Sequence, residues 1–468
     1  MTIDLTPYLT EKGPKYLAIA RALSEAVRQG ELAPGTRLPP HRQLAENLGV
    51  SVQTVSRAYA QAEKMGLVQA RVGSGTWINA LDDARESAYL RGHEARQESP
   101  LIDLSIAHPV CTPSHHLRFR QVLAELAEQA SPEVITACRP IAGLAHQRER
   151  ASHWLHSRLH VPGDLDDRIL CNGAAHGLML AISSVVQHGD LVLTEALTDH
   201  GLIALSRTLG FQLRGIAIDH EGIVPEALDL ACQRFKPRAL YLTPTQLNPT
   251  GATMSEARRD AVAEVLARHR VWLIEDDVHA LLEAPGFTPV TARIPQLSFH
   301  VTSLTKVTVP GLRAGYLTVP RGQLHHVLPR MRATTWMATS LVFEIADRWL
   351  ADGTVEAMAG EQRRLLGERQ QLIRHRLGHH ALESRPTSLH VWVSLPDAWR
   401  AEELQQQAEQ EGLAITTAVP FMVERTPPPR RIRVSLGAEQ DIARFEEGVK
   451  RLVVLLDEAP PPMMQIVY

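Results

Sequence analysis

Lys306 closes the run Ser303-Leu304-Thr305-Lys306 and is followed by Pro310-Gly311-Leu312-Arg313-Ala314-Gly315-Tyr316. A lysine amine condenses with an aldehyde to form a Schiff base, and a hydroxyl and a guanidinium close by, here Ser303 and Arg313, are donors suited to a doubly charged phosphate. Alone, the pattern is that of a surface lysine near a structural Pro-Gly turn, but it has companions. In Leu273-Ile274-Glu275-Asp276-Asp277-Val278-His279 an apolar strand ends in carboxylates, and ligands bind at the carboxyl edge of such sheets. Asp276 there would pair with a protonated pyridine nitrogen and keep the ring electron-poor. Asn248, in Asn248-Pro249-Thr250-Gly251, would bond a phenolic oxygen, although that tetrapeptide by itself is only a turn. Asn172-Gly173-Ala174-Ala175-His176 opens an apolar helix over 177–186, so Ala174 and Ala175 offer backbone N–H groups to a phosphate. A metal is the rival use of Asp276 and Asp277, with no ligand cluster to accompany it. Together these residues point to pyridoxal 5'-phosphate on Lys306, with no metal expected.

A second set carries different chemistry. After Ser51, the residues Gln53, Thr54, Ser56 and Arg57 place short polar and basic side chains on the first turns of a helix, the kind that reach base edges in the DNA major groove. Arg42 on the preceding helix is placed for phosphate. Arg71 with the Gly73-Ser74-Gly75 turn would bring backbone N–H groups onto the neighbouring groove. A solvated protein-interaction module is the alternative that these residues leave open. His153, His156 and His160, read as one helical stripe at spacings of three and four, could gather zinc or nickel; in a chain with 22 histidines a solvated stripe is the simpler reading.

Elements must hold these side chains in place. Apolar residues at helical spacing from Pro14 to Gln29 predict a first helix, ended by Gly30. Pro39-Pro40 precedes a short helix over 42–48 closed by Gly49, and Ser51 caps a third that runs toward Met65. The alternating stretch from Leu67 to Ile78 predicts a hairpin, which completes a winged helix-turn-helix over 1–79. Residues 80–100 carry charge without a sustained apolar face, as a linker does. From Leu101 onward, strand-like runs at 168–171, 191–194, 239–242, 271–274 and 299–302 alternate with helical stretches. They predict an α/β domain with a mostly parallel sheet over 101–468, its large subdomain at roughly 140–340 and a smaller C-terminal α+β subdomain at roughly 341–468.

Composition agrees with this division. A chain of 468 residues with 44% hydrophobic content has enough apolar material for two or more cores. Residues 1–79 hold nine Lys/Arg against six Asp/Glu, a charge of +3 that leaves −6 for the rest of a chain at −3. A mildly basic module on an acidic body suits DNA contact by one end only. Four scattered cysteines with no Cys-x-x-Cys pair suit a reducing compartment. The start lacks a basic-then-apolar signal pattern, and no window approaches the ~18 apolar residues of a membrane span, so a cytoplasmic chain is expected.

The run Gly35-Thr36-Arg37-Leu38-Pro39-Pro40-His41-Arg42-Gln43-Leu44-Ala45, with Leu48-Gly49-Val50-Ser51, Thr54-Val55, Ala58-Tyr59 and the Gly-Ser-Gly-Thr wing, resembles the GntR family of bacterial regulators across residues 14–78. The resemblance implies Arg42, Ser51, Gln53, Thr54 and Ser56 as the DNA-facing set, with Val52 where arginine is frequent. Residues 101–456 resemble fold-type I pyridoxal-phosphate enzymes of the class I/II aminotransferase family. That implies Lys306 as Schiff-base lysine, Asp276 at the pyridine nitrogen, Asn248 at the ring hydroxyl, and Ser303 with Arg313 on the phosphate. It also implies that Arg433, in Arg431-Ile432-Arg433-Val434-Ser435, clamps the α-carboxylate of an amino acid. Three positions depart from the family. His279 replaces a tyrosine, Cys138 replaces a tyrosine offered across a dimer, and in 195–201 only His200 could stack on the ring. Weak turnover or none is therefore expected. The fusion resembles the MocR subfamily, which implies a head-to-tail homodimer that binds operator DNA and senses an amino compound through an aldimine at Lys306. A working aminotransferase with a helix-turn-helix, and a sensor of pyridoxal phosphate itself, are the other readings.

Overall fold

The computed structural model describes residues 5, 14–28, 31–32, 36–64, 67–71, 75–78, 101–136, 138–424 and 426–458. The linker expected over 80–100, the wing residues Gly73 and Ser74, and the side chain of Arg71 lie outside what is described. The chain divides into two compact units, Met1–Ser99 with Glu424–Pro429, and Pro100–Val423 with Arg430–Tyr468.

In the first unit, helices α1 (Lys15–Arg28), α2 (His41–Leu48) and α3 (Val52–Lys64) precede an antiparallel hairpin of β1 (Val68–Arg71) and β2 (Gly75–Ile78). Gly49 ends α2 at φ 60°, the left-handed conformation that a side chain disfavours, and so permits the tight entry into α3. Ile19, Leu23, Leu44, Val55, Tyr59 and Ile78 share one core. The buried Tyr59 hydroxyl donates to the Pro39 carbonyl at 2.8 Å, which ties the Pro39-Pro40 break to α3.

The second unit is built on seven strands: β3 (Arg168–Asn172), β4 (Leu191–Glu195), β5 (Gln212–Ile216), β6 (Ala239–Leu242), β7 (Trp272–Asp276), β8 (Ser298–Ser303) and β9 (Ala314–Thr318). Their spatial order is β3-β9-β8-β7-β6-β4-β5. The sheet is mostly parallel, as the sequence predicts; β9 alone runs antiparallel to both its neighbours. Successive residues feed two different cores. Tyr241 and Ile274 join one cluster, Leu240, Leu242 and Leu273 the other. A sheet covered on both faces explains why these strands read as unbroken apolar runs.

Helix α4 (Ala174–Val185) follows β3 and α5 (His200–Leu209) follows β4. Toward the C-terminus, α6 (Thr354–Leu377), a four-stranded antiparallel sheet and α7 (Ile442–Asp457) make the expected α+β part. That sheet has β10 (Leu382–Glu383), β11 (His390–Ser394), β12 (Thr416–Thr417) and β13 (Arg431–Ser435) in the order β10-β11-β13-β12. No helix among the described residues is long and apolar enough to cross a membrane.

One expectation needs correction. His153 and His156 lie on the helix Ala145–Leu159, but His160 is its left-handed cap at φ 55°, which takes it off the helical stripe. The three are exposed, and among the described residues the grouping with metal-like spacing is instead His379, His380 and Asp457.

Candidate functional site

Strands β3, β4, β6, β7 and β8 point the same way, so the residues just beyond their carboxyl ends converge on one edge of the sheet. Asp276 ends β7, Ser303 ends β8 with Lys306 three residues on, Asn248 follows β6, and Gly173 follows β3. The ladder pairs Ser303 with Gly315 and Gly315 with Cys171, which sets Ser303, the β9 start and the entry to α4 side by side. There the backbone approach is close: a Cβ on Gly315 would lie 2.5 Å from the Gly173 carbonyl carbon and 2.9 Å from the Ala174 nitrogen. Gly173 adopts φ 83°, and the Arg313 guanidinium lies against it, 2.7 Å from where its Cβ would be. Helix α4 begins at Ala174, earlier than the apolar run suggests, so Ala174 and Ala175 are its first two residues and their N–H groups are free of helical partners. Arg313 is itself exposed and left-handed at φ 53°.

The polar side chains are knit together. The Tyr241 hydroxyl donates to Asp276 Oδ2 at 2.6 Å. Lys306 Nζ donates to the Ala107 carbonyl at 2.9 Å. Asn248 stands between two charges: its amide donates to Asp199 Oδ2 at 3.1 Å, and its carbonyl accepts from Arg433 Nη1 at 2.8 Å. Arg433, on β13, is 1% exposed, also donates to the Ser105 carbonyl, and lies 4.7 Å over the Phe421 ring. His279 is buried, and its Nδ1 meets the Gln246 carbonyl at 3.0 Å.

Burial sets the charge states. It pushes the Asp276 carboxyl up to about 6, against the pull of the Tyr241 hydrogen bond. It pushes the Lys306 amine down, opposed by Asp199 and helped by Arg433. His279 falls to about 4 because burial and then Lys306 disfavour its cation. Burial also raises Asp199, but His200, the Gly201 N–H and the Asn248 amide outweigh it, so this carboxylate stays below the usual range.

A family model described as aminotransferase class I and II matches residues 100–452. The chain belongs to that family. A second model, for bacterial regulatory proteins of the gntR family, matches residues 15–78, and the pairing of the two is the build of the MocR subfamily. A Bacillus subtilis (strain 168) protein named as the HTH-type transcriptional regulator YdeF is 28% identical over 447 residues, which cover 95% of each chain. The vitamin B6 salvage pathway transcriptional repressor PtsJ of Salmonella typhimurium is 27% identical over 382 residues, 80% of this chain and 85% of that one. Among solved structures, an archaeal alanine:glyoxylate aminotransferase superposes with a TM-score of 0.73 at 21% identity, over 80% of this chain and 95% of that one, a likeness of fold. Membership in the aminotransferase family implies pyridoxal phosphate as cofactor.

The structure gathers Lys306, Asp276, Asn248, Ser303, Arg313, Gly173, Ala174 and His279 at the sheet edge, with Arg433 reaching in from the smaller sheet. Just before α5, the Asp199 carboxylate contacts Asn248. The His200 ring starts α5 and meets Phe421 edge-on at 6.4 Å. Cys138 is exposed, and its carbonyl accepts the Trp336 indole N–H at 2.7 Å. Sequence reasoning missed Tyr241, Asp199 and the 105–107 carbonyls.

In the DNA-binding unit, Arg42, Ser51, Gln53, Ser56 and Arg57 are exposed and Thr54 is half-buried. Ser51 Oγ accepts the Thr54 N–H at 3.1 Å and bonds its hydroxyl at 2.8 Å, so Ser51 also caps α3. Arg57 stacks on the Tyr16 ring at 4.3 Å, facing α1. Arg37 is an exposed base beside the wing, its guanidinium against Gly75, and was not singled out from the sequence.

Proposed function

We propose that this protein is a DNA-binding transcription regulator whose aminotransferase-type domain holds pyridoxal 5'-phosphate on Lys306 and answers to a primary amine of amino-acid type. The supporting observation is the placement of the Lys306 amine in one site with the Asp276–Tyr241 pair, Asn248 and Arg433. The residues present fit the cofactor. Thr305 Oγ1 is buried without a hydrogen-bond partner beside Lys306, and glycines at 173 and 315 keep Cβ atoms out of the space between Ser303 and the start of α4. When bound, the cofactor supplies an aldehyde that exchanges the lysine amine for another primary amine. Asp276 pairs with the ring nitrogen, Asn248 with the ring oxygen, and Ser303, Thr305, Arg313 and the N–H groups of Ala174 and Ala175 hold the phosphate. Arg433 orients the effector carboxylate with its planar fork.

His279 at the usual tyrosine position, with Cys138 where a second tyrosine is expected and His200 the one residue of 195–201 able to stack on the ring, favours sensing over turnover. We assign residues 1–79 to DNA binding, 80–100 to a linker and 101–468 to effector binding, in a cytoplasmic head-to-tail homodimer. In this reading Arg42, Ser51, Gln53, Thr54, Ser56, Arg57, Arg71, Gly73 and Ser74 face the operator.

The test titrates amines while the visible absorbance of the bound cofactor is followed, then repeats operator binding with each amine. A sensor changes absorbance and DNA affinity without releasing a keto acid; a working aminotransferase releases one. If no amine moves either signal, amine sensing is wrong. The name of the PtsJ relative favours a second reading, in which loading of the cofactor itself alters DNA affinity.

A further inference from the structure

Strand β11 carries a histidine that neither the cofactor nor the α-carboxylate employs. His390 is 1% exposed, and its ring nitrogens meet no partner in hydrogen-bond geometry. The Leu247 backbone favours the ring's cation, an effect smaller than those of burial, Arg433 and His279 that oppose it. The His390 backbone carbonyl, by contrast, takes a bond from Gln370. The ring lies 6.5 Å from that of His279, within the electrostatic reach of Arg433 and Lys306. Directly across the ladder on β13 is Ser435, fully buried, with an unpartnered hydroxyl. Arg433 lies on that same strand two residues away, and so on the same face. An unpaired buried polar group costs about 1–3 kcal/mol, and an aliphatic residue, such as the neighbouring Val391 or Val393, would fill the strand without that cost. Two such groups on paired strands, beside the carboxylate clamp, mark a place where a ligand completes the bonding.

We infer that His390 and Ser435 form a subsite for the effector's side chain, which makes the effector an amino acid ending in a hydrogen-bond acceptor, a carboxylate above all. The inference rests on the amine-sensing reading above. Burial, Arg433 and His279 hold the His390 ring neutral, which leaves it one N–H to donate, and an arriving carboxylate brings an anion beside the Arg433 guanidinium. The Asn248 amide stands between that corner and the Asp199 carboxylate.

The full-length protein loaded with pyridoxal 5'-phosphate is titrated with glutamate and aspartate, and with norvaline and alanine, while the visible band is followed. The acidic amino acids are expected to bind at least tenfold more tightly than the aliphatic ones. His390→Leu removes most of that ratio while leaving the aliphatic amino acids and cofactor retention unchanged. His390→Gln, which keeps a donor, restores part of it, and Ser435→Ala loses a smaller share. Because the leucine variant relieves an unpaired group, its unliganded form melts no lower than wild type. Equal weakening of both classes, or a lower melting point with the acidic preference intact, overturns the subsite. A protein that answers to aliphatic and acidic amines alike keeps the sensor reading and loses the subsite; one that answers to no amine loses both.

Discussion

Whether the site can accept a pyridinium turns on one proton at Asp276. Burial lifts its carboxyl to about 6, above the ~3.9 of a free aspartate, while the Tyr241 hydroxyl pulls the other way. Below about 6 the folded protein therefore holds the proton and lacks the anion, so cofactor affinity is expected to fall as pH drops through that value. The same sign makes the cofactor-free fold lose stability from this group as pH rises through the interval between the two values, because the folded state binds the proton more tightly. Tyr241→Phe deletes a bond to the carboxylate form and moves the midpoint upward, which equilibrium dialysis of the cofactor across mildly acidic pH measures. An unmoved midpoint would show that the pair is structural. Lys306 and Asp276 were legible in the sequence because each sits just past an apolar run, among companions of matching chemistry. Tyr241 was not: in Ala239-Leu240-Tyr241-Leu242 it is one apolar residue among four, and only the pairing of β6 with β7 aims its hydroxyl at Asp276. Asp199 was missed for a similar reason: its contact with Asn248 is made by the fold and not by any local pattern.

At the scale of elements, the phosphate cradle depends on how closely β9 approaches the entry to α4. Gly315→Ala places a methyl against the Gly173 carbonyl and the Ala174 nitrogen, backbone atoms with little room to yield. Overpacking of this kind costs about 1–3 kcal/mol and shifts the N–H groups that α4 presents. The affinity advantage of pyridoxal 5'-phosphate over pyridoxal, which lacks the phosphate, is expected to shrink in this variant; an unchanged advantage would place the phosphate elsewhere. In the DNA-binding unit, Ser51→Ala removes a cap worth about 1 kcal/mol, whereas Gln53→Ala removes no observed bond. The first should lower both the melting point and operator affinity, the second operator affinity alone. The three helices of the first unit and the strands at 168–171, 191–194, 239–242, 271–274 and 299–302 were legible to within a few residues because their apolar runs and caps are local. Neither β9 nor its antiparallel course was, because nothing in Ala314-Gly315-Tyr316-Leu317-Thr318 encodes strand direction; that follows from the short return after Lys306.

For the molecule as a whole, regulation requires the two units to exchange free energy, and thermodynamics fixes the form of that exchange. An amine that changes operator affinity by some factor must have its own affinity changed by operator DNA by the same factor. Arg42 offers a way to separate this coupling from DNA contact itself. Arg42→Ala, the loss of one exposed cation on α2, should weaken binding uniformly across sequences and lower the slope of log affinity against log salt by about 1. Amine titrations of the same variant without DNA should match wild type, because Arg42 belongs to the first unit and Lys306 and Arg433 to the second. With DNA added at concentrations that restore saturation, the coupling factor should also match. A variant whose amine affinity changes in the absence of DNA would show that Arg42 serves the effector domain. A factor of one, with operator DNA leaving amine affinity unchanged, would mean that the two units exchange no free energy, and the regulator reading would lose its physical basis.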